Sequence, residues 1–516
     1  MMKLLKLTTI LILIAIANLA FAQTVTINYS QKIGGDSNDY FIKNRIAHNQ
    51  FWSVGYTQSG DITSRGGKIS TVQAWLYGCS MNGDSILSKK IIGSNSEQAL
   101  DVIEGGVNNV IVVGYTMSND GDFASANHYG GADAFLSVID TLGNFMYIQK
   151  YGGSNTDIIH RIIRTSSGNF LMIGQSKSND GSLPDNGNTD TDGWIYLLDE
   201  SLDSVWSKKV GMINEQAFYD AVATESGGFI VTGILEPSTG TDEAYFWILK
   251  FNSIGEIQWE ITAGGSAFDR PIGLYECNDG NYMAYGFSNS DDGLVHDHIG
   301  GADGYVVKFS PVGDTLWTKS LGWSDSGEII SDLFEYDGKY YAVMTSDQST
   351  SIDNYGENDI VLLEFDQDNQ YFVNHFGGDN IEPAYEGGGI SVEQGIGNEF
   401  FFSTSTLSDN YDLSGTLGEV DAWIFSIDFL TGKTENLFQR EINVYPNPAK
   451  NIIQLELSKY ESFPIGYTII DNQGKLVQKG LIYQPSETID IQDLPQGAYH
   501  IKTGNPYCKA NSFVKN

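Results

Sequence analysis

The sequence predicts an all-β protein: a seven-bladed β-propeller over residues 23–440, followed by a small Ig-like β-sandwich over residues 441–516. Three observations carry the prediction. A Gly-rich turn recurs at Gly35, Gly93, Gly153, Gly211, Gly265, Gly322 and Gly378, at spacings of 54 to 60 residues, and self-similarity at a near-fixed period marks a repeat architecture. Each repeat holds four short apolar runs, rich in β-branched and aromatic residues and bounded by Gly, Asn and Asp; four strands per repeat is the pattern of a propeller blade. After Arg440 the composition changes. Gly becomes rarer, Pro446 and Pro448 cluster, and strand-like runs follow at 452–457, 467–470, 476–479, 488–491 and 499–502, as in a small sandwich.

Residues 1–22 read as a signal peptide. Lys3 and Lys6 precede an apolar run from Leu7 to Ala17, and Ala20-Phe21-Ala22 places small residues for cleavage before Gln23. The run is short for a bilayer span and is interrupted by Thr8 and Thr9. No later stretch is apolar for long enough, so the mature chain is expected to be exported without a transmembrane segment. Cys79, Cys277 and Cys508 cannot all pair within one chain and match no metal spacing. They read as buried thiols.

Charge narrows the partners. The chain has 29 basic and 65 acidic residues, a net −36. Removing residues 1–22 takes away two lysines and no acid, giving −38, and residues 441–516 hold seven lysines and seven acids. All of the −38 therefore belongs to residues 23–440. Such a surface repels phosphate backbones and anionic lipid, which excludes nucleic acid. Cations and neutral polymers remain.

The clearest repeat runs from Gly264 to Gly322. Its turn Gly264-Gly265 leads through Asp269 into a first strand; Tyr282 to Tyr285 form a second, ending at Gly286. Near-continuous apolar character in the second strands, such as Val110-Ile111-Val112-Val113, implies burial on both faces between neighbouring blades. Gly55, Gly114, Gly174, Gly233 and Gly286 close five of these strands, which predicts a bend or a close backbone approach; Met344 and Thr404 stand there in the last two. The third strand opens with an acid in five repeats, Asp133, Asp192, Asp303, Asp359 and Asp421, and with Gln73 and Tyr245 in the others. An element present in most blades usually serves the blade, so these acids are expected to cap the turn. One fourth strand is surplus: residues 24–33 precede the first turn and are expected to complete the last blade, removing exposed sheet edges.

The Gly-Gly turns and the acidic loops after the second strands are expected on one face. Asp120, Asp122, Asp180, Asp291 and Asp292 are candidate Ca²⁺ ligands there, as hard oxygen donors on Gly-containing loops. The same short Asn-Asp-Gly loops are ordinary turn chemistry, and none is a complete twelve-residue calcium loop. Apart from calcium, no cofactor is expected. His128, His296 and His298 share these loops without the convergence a zinc site needs. Tyr129, Trp323 and Tyr411 are candidates to stack on a sugar or to pack between blades. Arg45, Arg161 and Arg270 fall at different places in their repeats, which argues against a built arginine site. Blades four and seven break the pattern most, at 236–243 and 383–389.

Three resemblances follow from these residues. The Gly-Gly turn, the Gly-ended second strand, the acid-led third strand and the Trp in the fourth make residues 33–434 resemble the Gly- and Asp-rich β-propeller repeats of bacterial secreted proteins. The hairpins Asp199 to Trp206 and Ser310 to Trp317 loosely resemble the Asp-box turns of sialidase-like propellers. At the other end, Tyr445-Pro446-Asn447-Pro448, the run through Gly474, the strand Gly497-Ala498-Tyr499 and Phe513-Val514-Lys515 are similar to the C-terminal sorting domain of type IX secretion cargo. That resemblance implies recognition by the type IX machinery at the outer membrane, then release or anchoring at the cell surface. The expected function is a binding or adhesion module for an extracellular polysaccharide or protein. The alternative is a polysaccharide hydrolase or lyase using loop-face carboxylates, and a third possibility is a structural surface-layer component.

Overall fold

The computed structural model describes residues 24–61, 66–127, 129–183, 190–211, 214–237, 243–323, 327–347, 358–380, 389–395, 397–410, 412–413, 419–430, 443–456, 465–471, 475–482, 484, 486–492, 494–503 and 511–516. The predicted signal peptide, His128, Tyr411, Gly474 and Cys508 lie outside them. The chain divides into two compact units, Met1–Leu430 and Thr431–Asn516. Among the described residues the one helical element is the short 3-10 turn Gly121–Phe123, and no helix is long and apolar enough to cross a membrane.

The first unit contains seven four-stranded antiparallel sheets. Six take their strands in chain order. The seventh joins Ser391–Gln394, Glu399–Thr406 and Asp421–Leu430 to Thr24–Ile33 from the other end of the chain, as the surplus strand predicts. The first strands of sheets one to six are Asp39–Ala47, Glu97–Glu104, Asp157–Arg164, Gln216–Ala223, Asp269–Glu276 and Glu328–Tyr336. They neighbour one another in succession, and the seventh returns to the first. Apolar side chains fill the space between sheets: Trp52, Val54 and Leu76 of sheet one meet Val102, Val112 and Phe135 of sheet two in one buried cluster. Cys79 and Cys277 are buried within such clusters, where burial pushes both thiols up to about 12.

Each of the first six sheets bulges at the same point of its first strand. The register shifts between Phe41 and Lys43, Ala99 and Asp101, Ile159 and Arg161, Phe218 and Asp220, Pro271 and Gly273, and Ile330 and Asp332. A bulge bends the strand and re-aims its side chains. It also explains the closing glycines. A Cβ on Gly55, Gly114, Gly174 or Gly233 would come within 1.9 Å of a first-strand carbonyl oxygen, a contact no side chain tolerates.

In sheets two, three, five and six two carboxylates hold the turns. The acid that heads the first strand accepts a backbone N–H from the Gly-Gly turn and two hydroxyls from the end of the second strand. Asp157 takes Gly153 N at 2.7 Å, Ser176 Oγ at 2.5 Å and Ser178 Oγ at 2.8 Å. Glu97 does the same with Gly93, Thr116 and Ser118, as do Asp39 with Gly35, Thr57 and Ser59 and Asp269 with Gly265, Ser288 and Ser290. The acid that heads the third strand caps its turn, as expected: Ile299 N donates to Asp303 at 2.6 Å. It also meets a buried cation that the sequence reading did not anticipate. Lys150 lies 3.2 Å from Asp133, Lys209 3.1 Å from Asp192, and Lys32 of the N-terminal strand 3.7 Å from Asp421. These lysines occupy one register position on the fourth strand, opposite Phe135, Trp194 and Trp423. The N-terminal strand thus supplies the seventh sheet with the same lysine that a fourth strand supplies elsewhere.

The second unit consists of two sheets. One joins Asn443–Tyr445, Ile452–Glu456 and Ser486–Asp490; the other joins Leu476–Ile482, Ile465–Asp471, Gly497–Thr503 and Asn511–Lys515. Ile453, Leu455, Ile469, Ile489, Tyr499, Ile501 and Phe513 form their shared core.

Removing one partner of a buried ion pair leaves an uncompensated charge. Lys32→Met should therefore cost about 3 kcal/mol and lower the Tm of the first unit by several degrees, whereas Lys177→Met, which removes an exposed pair, should change it little; deletion of residues 24–33 should cost more than Lys32→Met. Thermal unfolding of the three variants checks this. Burial raises the carboxyls of Asp39, Glu97, Asp157 and Asp269 above their usual range, against hydrogen bonds that lower them. A folded pKa above the unfolded one gives stability that is fully present below the unfolded pKa and is lost as pH rises through the folded pKa. The Tm at pH about 5 should accordingly exceed that at pH about 8, and Glu97→Gln should reduce the slope; melts at constant ionic strength test both.

Candidate functional site

Charged residues just after the bulges tie neighbouring first strands together. Asp101 accepts Val102 N at 2.9 Å and, from the next sheet, Ile162 N at 3.0 Å. Asp220 accepts Ala221 N at 2.8 Å and Leu274 N at 3.0 Å. Asp332 accepts Leu333 N at 2.9 Å and Val392 N at 3.0 Å. Arg161 bridges the first two, 3.3 Å from Asp101 and 2.7 Å from Asp220. Lys43 lies 3.2 Å from Asp332, which also receives the Tyr285 hydroxyl at 2.9 Å. Lys43 holds the Asp332 carboxyl below its usual range despite burial. Arg45 pairs with Glu393. Every acceptor here has structural partners, so the axis is a tie and not a reaction centre.

The loop face was the expected place for a metal. There Ser94 N donates to Asp120 at 2.8 Å, Ile92 N to Asp122 at 2.8 Å, Ser154 N to Asp180 at 2.7 Å and Ser266 N to Asp292 at 2.6 Å. Asp291 is exposed beside them. These carboxylates clasp the Gly-Gly turn some 26 to 30 residues upstream, the geometry of a turn clamp. Among the described residues no three metal-ligating side chains converge. His298 faces Asp303 at 3.0 Å. Of the predicted aromatics, Tyr129 is half-buried, with Asn127 donating to its hydroxyl at 3.2 Å. Trp323 packs against the cluster containing Leu321 and Leu333. The structure does not bring these two together.

It brings together another set. A cavity of about 210 Å³ is lined by Gln175, Glu215, Tyr219, Glu236, Phe268 and Arg270, among others. These come from sheets three to five, near the starts of first strands and the ends of second strands, on the face that carries the Gly-Gly turns. Tyr219 is the bulged residue of sheet four and His160 that of sheet three. Their rings meet edge to face with centroids 5.4 Å apart. The Arg270 guanidinium lies 5.1 Å from the centre of the Tyr219 ring. Burial pushes the Tyr219 hydroxyl up, and Arg270 opposes the shift. Burial holds His160 down to about 4, so it is neutral at neutral pH; its Nε2 has no hydrogen-bond partner. Burial and then Glu215 raise the Glu236 carboxyl, while Glu215 itself lies 3.2 Å from Lys177 in an exposed pair. Phe268 and Phe287 close one side, 6.0 Å apart. Aromatic faces, a protonatable carboxyl and a guanidinium in one concavity, with the neutral His160 ring packed behind Tyr219, can stack on and hydrogen-bond a polar ring compound, and clustered perturbed groups mark a functional site.

Sequence reasoning singled out the break at 236–243 but scattered the arginines. A stricter alignment of repeats carries the missing signal. Gln216 replaces the acid that heads the first strand, and Arg270 stands where other repeats have Tyr40, Gln98, Ile158, Ala217 and Ile329.

In the second unit several of the predicted signal residues contact the last strand and its neighbours. Asn447 Oδ1 accepts Val514 N at 2.9 Å, and Tyr499 donates to Pro495 O at 2.7 Å while stacking on Phe513. Tyr445 is exposed and both Tyr445-Pro446 and Asn447-Pro448 are cis. Lys515 turns inward, donating to Ile491 O at 2.7 Å and Gln492 O at 2.6 Å.

Residues 443–511 match the family model described as a secretion system C-terminal sorting domain. The chain is thus a sorted cargo that leaves the cell by the type IX route, secreted or held at the surface. No curated protein matches it. Among solved structures it is similar to PorZ, a bacterial surface component of the type IX secretion system of Porphyromonas gingivalis, at 12% identity and a TM-score of 0.40, covering 94% of this chain and 60% of that one. It is also similar to an ulvan lyase of family PL25, at 9% identity and 0.40, covering 76% and 95%. A third is the NanB sialidase of Streptococcus pneumoniae, at 10% and 0.36, covering 81% and 72%. None of these likenesses transfers a site residue.

If the loop carboxylates are turn clamps, Asp180→Ala should cost about 1 kcal/mol, as the loss of a backbone cap does. A chelator should leave the Tm of wild type and variant alike unchanged, and calorimetry with and without it checks this.

Proposed function

We propose that residues 23–440 form a seven-bladed β-propeller, that residues 441–516 form an Ig-like module presented to the type IX machinery, and that the propeller binds an extracellular polysaccharide or protein through the cavity around Tyr219 and Arg270. One observation carries the reading. The cavity opens where the repeat breaks, and its Glu215, Tyr219, Glu236 and Arg270 occur once, so no blade needs them for folding. Tyr129, on the same face, is a candidate to extend the surface. Cleavage is the second reading. It is favoured by Glu215 and Glu236 sharing one cavity, with the Glu236 carboxyl raised by burial, since a pair of carboxyl groups, one of them held as the acid, is the usual arrangement for cleaving glycosidic bonds.

The test is a thermal-shift panel of polysaccharides on the secreted protein. A ligand that binds the folded form raises the Tm by mass action, about 2.7 kcal/mol at a hundred times Kd. Tyr219→Ala should abolish the shift and leave the ligand-free Tm nearly unchanged. A shift that survives in Tyr219→Ala would place binding elsewhere. New chain ends appearing in wild type and absent in Glu236→Gln would favour the cleaving reading.

A further inference from the structure

We propose that the cavity selects a saccharide bearing an anionic substituent, a carboxylate or a sulfate, and that Arg270 is the residue that reads it. The inference rests on the cavity being the binding site.

Arginine is scarce in this chain and, where described, otherwise engaged. Arg45 pairs with Glu393, Arg161 with Asp101 and Asp220, and Arg164 donates to the carbonyls of Gly105 and Gly168. Arg270 differs. Among the described residues no carboxylate lies within 4 Å of it, and its side chain is exposed at the cavity. It is held over the Tyr219 ring and hydrogen-bonds that side chain, which orients the planar fork while engaging only part of its donor set. A guanidinium presents five N–H groups whose geometry matches a carboxylate or sulfate in two parallel bonds.

The surrounding charge does not cancel this. Glu215 is matched by Lys177, and the Glu236 carboxyl is raised, which weakens its competition for the guanidinium. In a propeller that is acidic elsewhere, the cavity is the place where a cation stands ready and the neighbouring acids are partly neutralised. Tyr219 and Phe268 supply the apolar faces on which a pyranose ring stacks.

The experiment is calorimetric titration of the full secreted chain with three probes: oligogalacturonate, its carboxyl-reduced neutral counterpart, and a sulfated galactan oligosaccharide. Wild type, Arg270→Gln, Arg270→Lys and Tyr219→Ala are compared. One or both anionic probes should bind at least about tenfold more tightly than the neutral one, the scale of a hydrogen bond to a charged group. Arg270→Gln should remove that preference, Arg270→Lys should restore part of it, and added salt should weaken it; which anionic probe binds names carboxylate or sulfate. Equal binding of neutral and anionic probes, lost in Tyr219→Ala, would overturn the anionic selectivity while leaving the site in place. Binding that no cavity variant changes, or no binding by any probe, would overturn the site and the inference together. Unchanged Tm values for the Arg270 variants distinguish lost recognition from lost folding.

Discussion

Closing seven sheets around one axis is the constraint the rest of the first unit answers to. The first strands crowd there, and each bulge turns a backbone N–H away from its own ladder. Asp101, Asp220 and Asp332 collect those N–H groups, each taking one from its own strand and one from the next sheet. A buried carboxylate is costly unless hydrogen-bonded and paired, and here each has two backbone donors and a cation. They sit in sheets two, four and six. Adjacent acids would repel, so alternation is the arrangement that works. Seven is odd, and one junction must break it. Between sheets seven and one no such aspartate stands: the Asn44 side chain donates to Ser391 O at 2.7 Å and to Ser403 Oγ at 3.0 Å, and Arg45 pairs with Glu393.

The same logic disposes of the lysines. Lys150 and Lys209 each reach across to the loop that follows the second strand, donating to Ser118 O and Asn119 Oδ1, and to Ser178 O and Asn179 Oδ1. Lys32 does so for Ser408 O. One buried cation therefore neutralises the third-strand acid and pins the loop over it. Cations drawn inward in this way leave the acids in excess outside, which is how a chain of net −36 combines an acidic surface with satisfied buried charges.

How much of this was legible follows from the range of each signal. Period, strand runs and closing glycines are local, and they led to the sheets. The N-terminal closure came from counting strands. The loop carboxylates resembled calcium ligands because their partners are backbone N–H groups, which a sequence does not display as chemistry. Lys515 stood out only as the end of the motif Phe513-Val514-Lys515; its acceptors are carbonyls at Ile491 and Gln492, equally silent. Asp101 and Asp220 look like ordinary strand acids until the bulge puts them in one register. The cavity was hidden for a further reason, since residues from Gln175 to Arg270 meet only once sheets three, four and five have packed side by side.

That the cavity lies beside sheet four is itself a consequence of the ties. Elsewhere a head-of-strand acid and, in sheets two, three and seven, a lysine hold turn and loop across the face. Sheet four has Gln216 at the head of its first strand, Tyr245 at the head of its third, and Thr262 opposite Trp247 where Lys209 stands opposite Trp194. Among its described residues sheet four thus has no acid at either strand head and no lysine at that register. The side chains around the opening, Glu215, Tyr219, Glu236 and Arg270, are then released from the duties their counterparts perform. The repeat gives up both acids and the lysine at this one sheet, while the tie through Asp220, to Leu274 N and to Arg161, remains intact there.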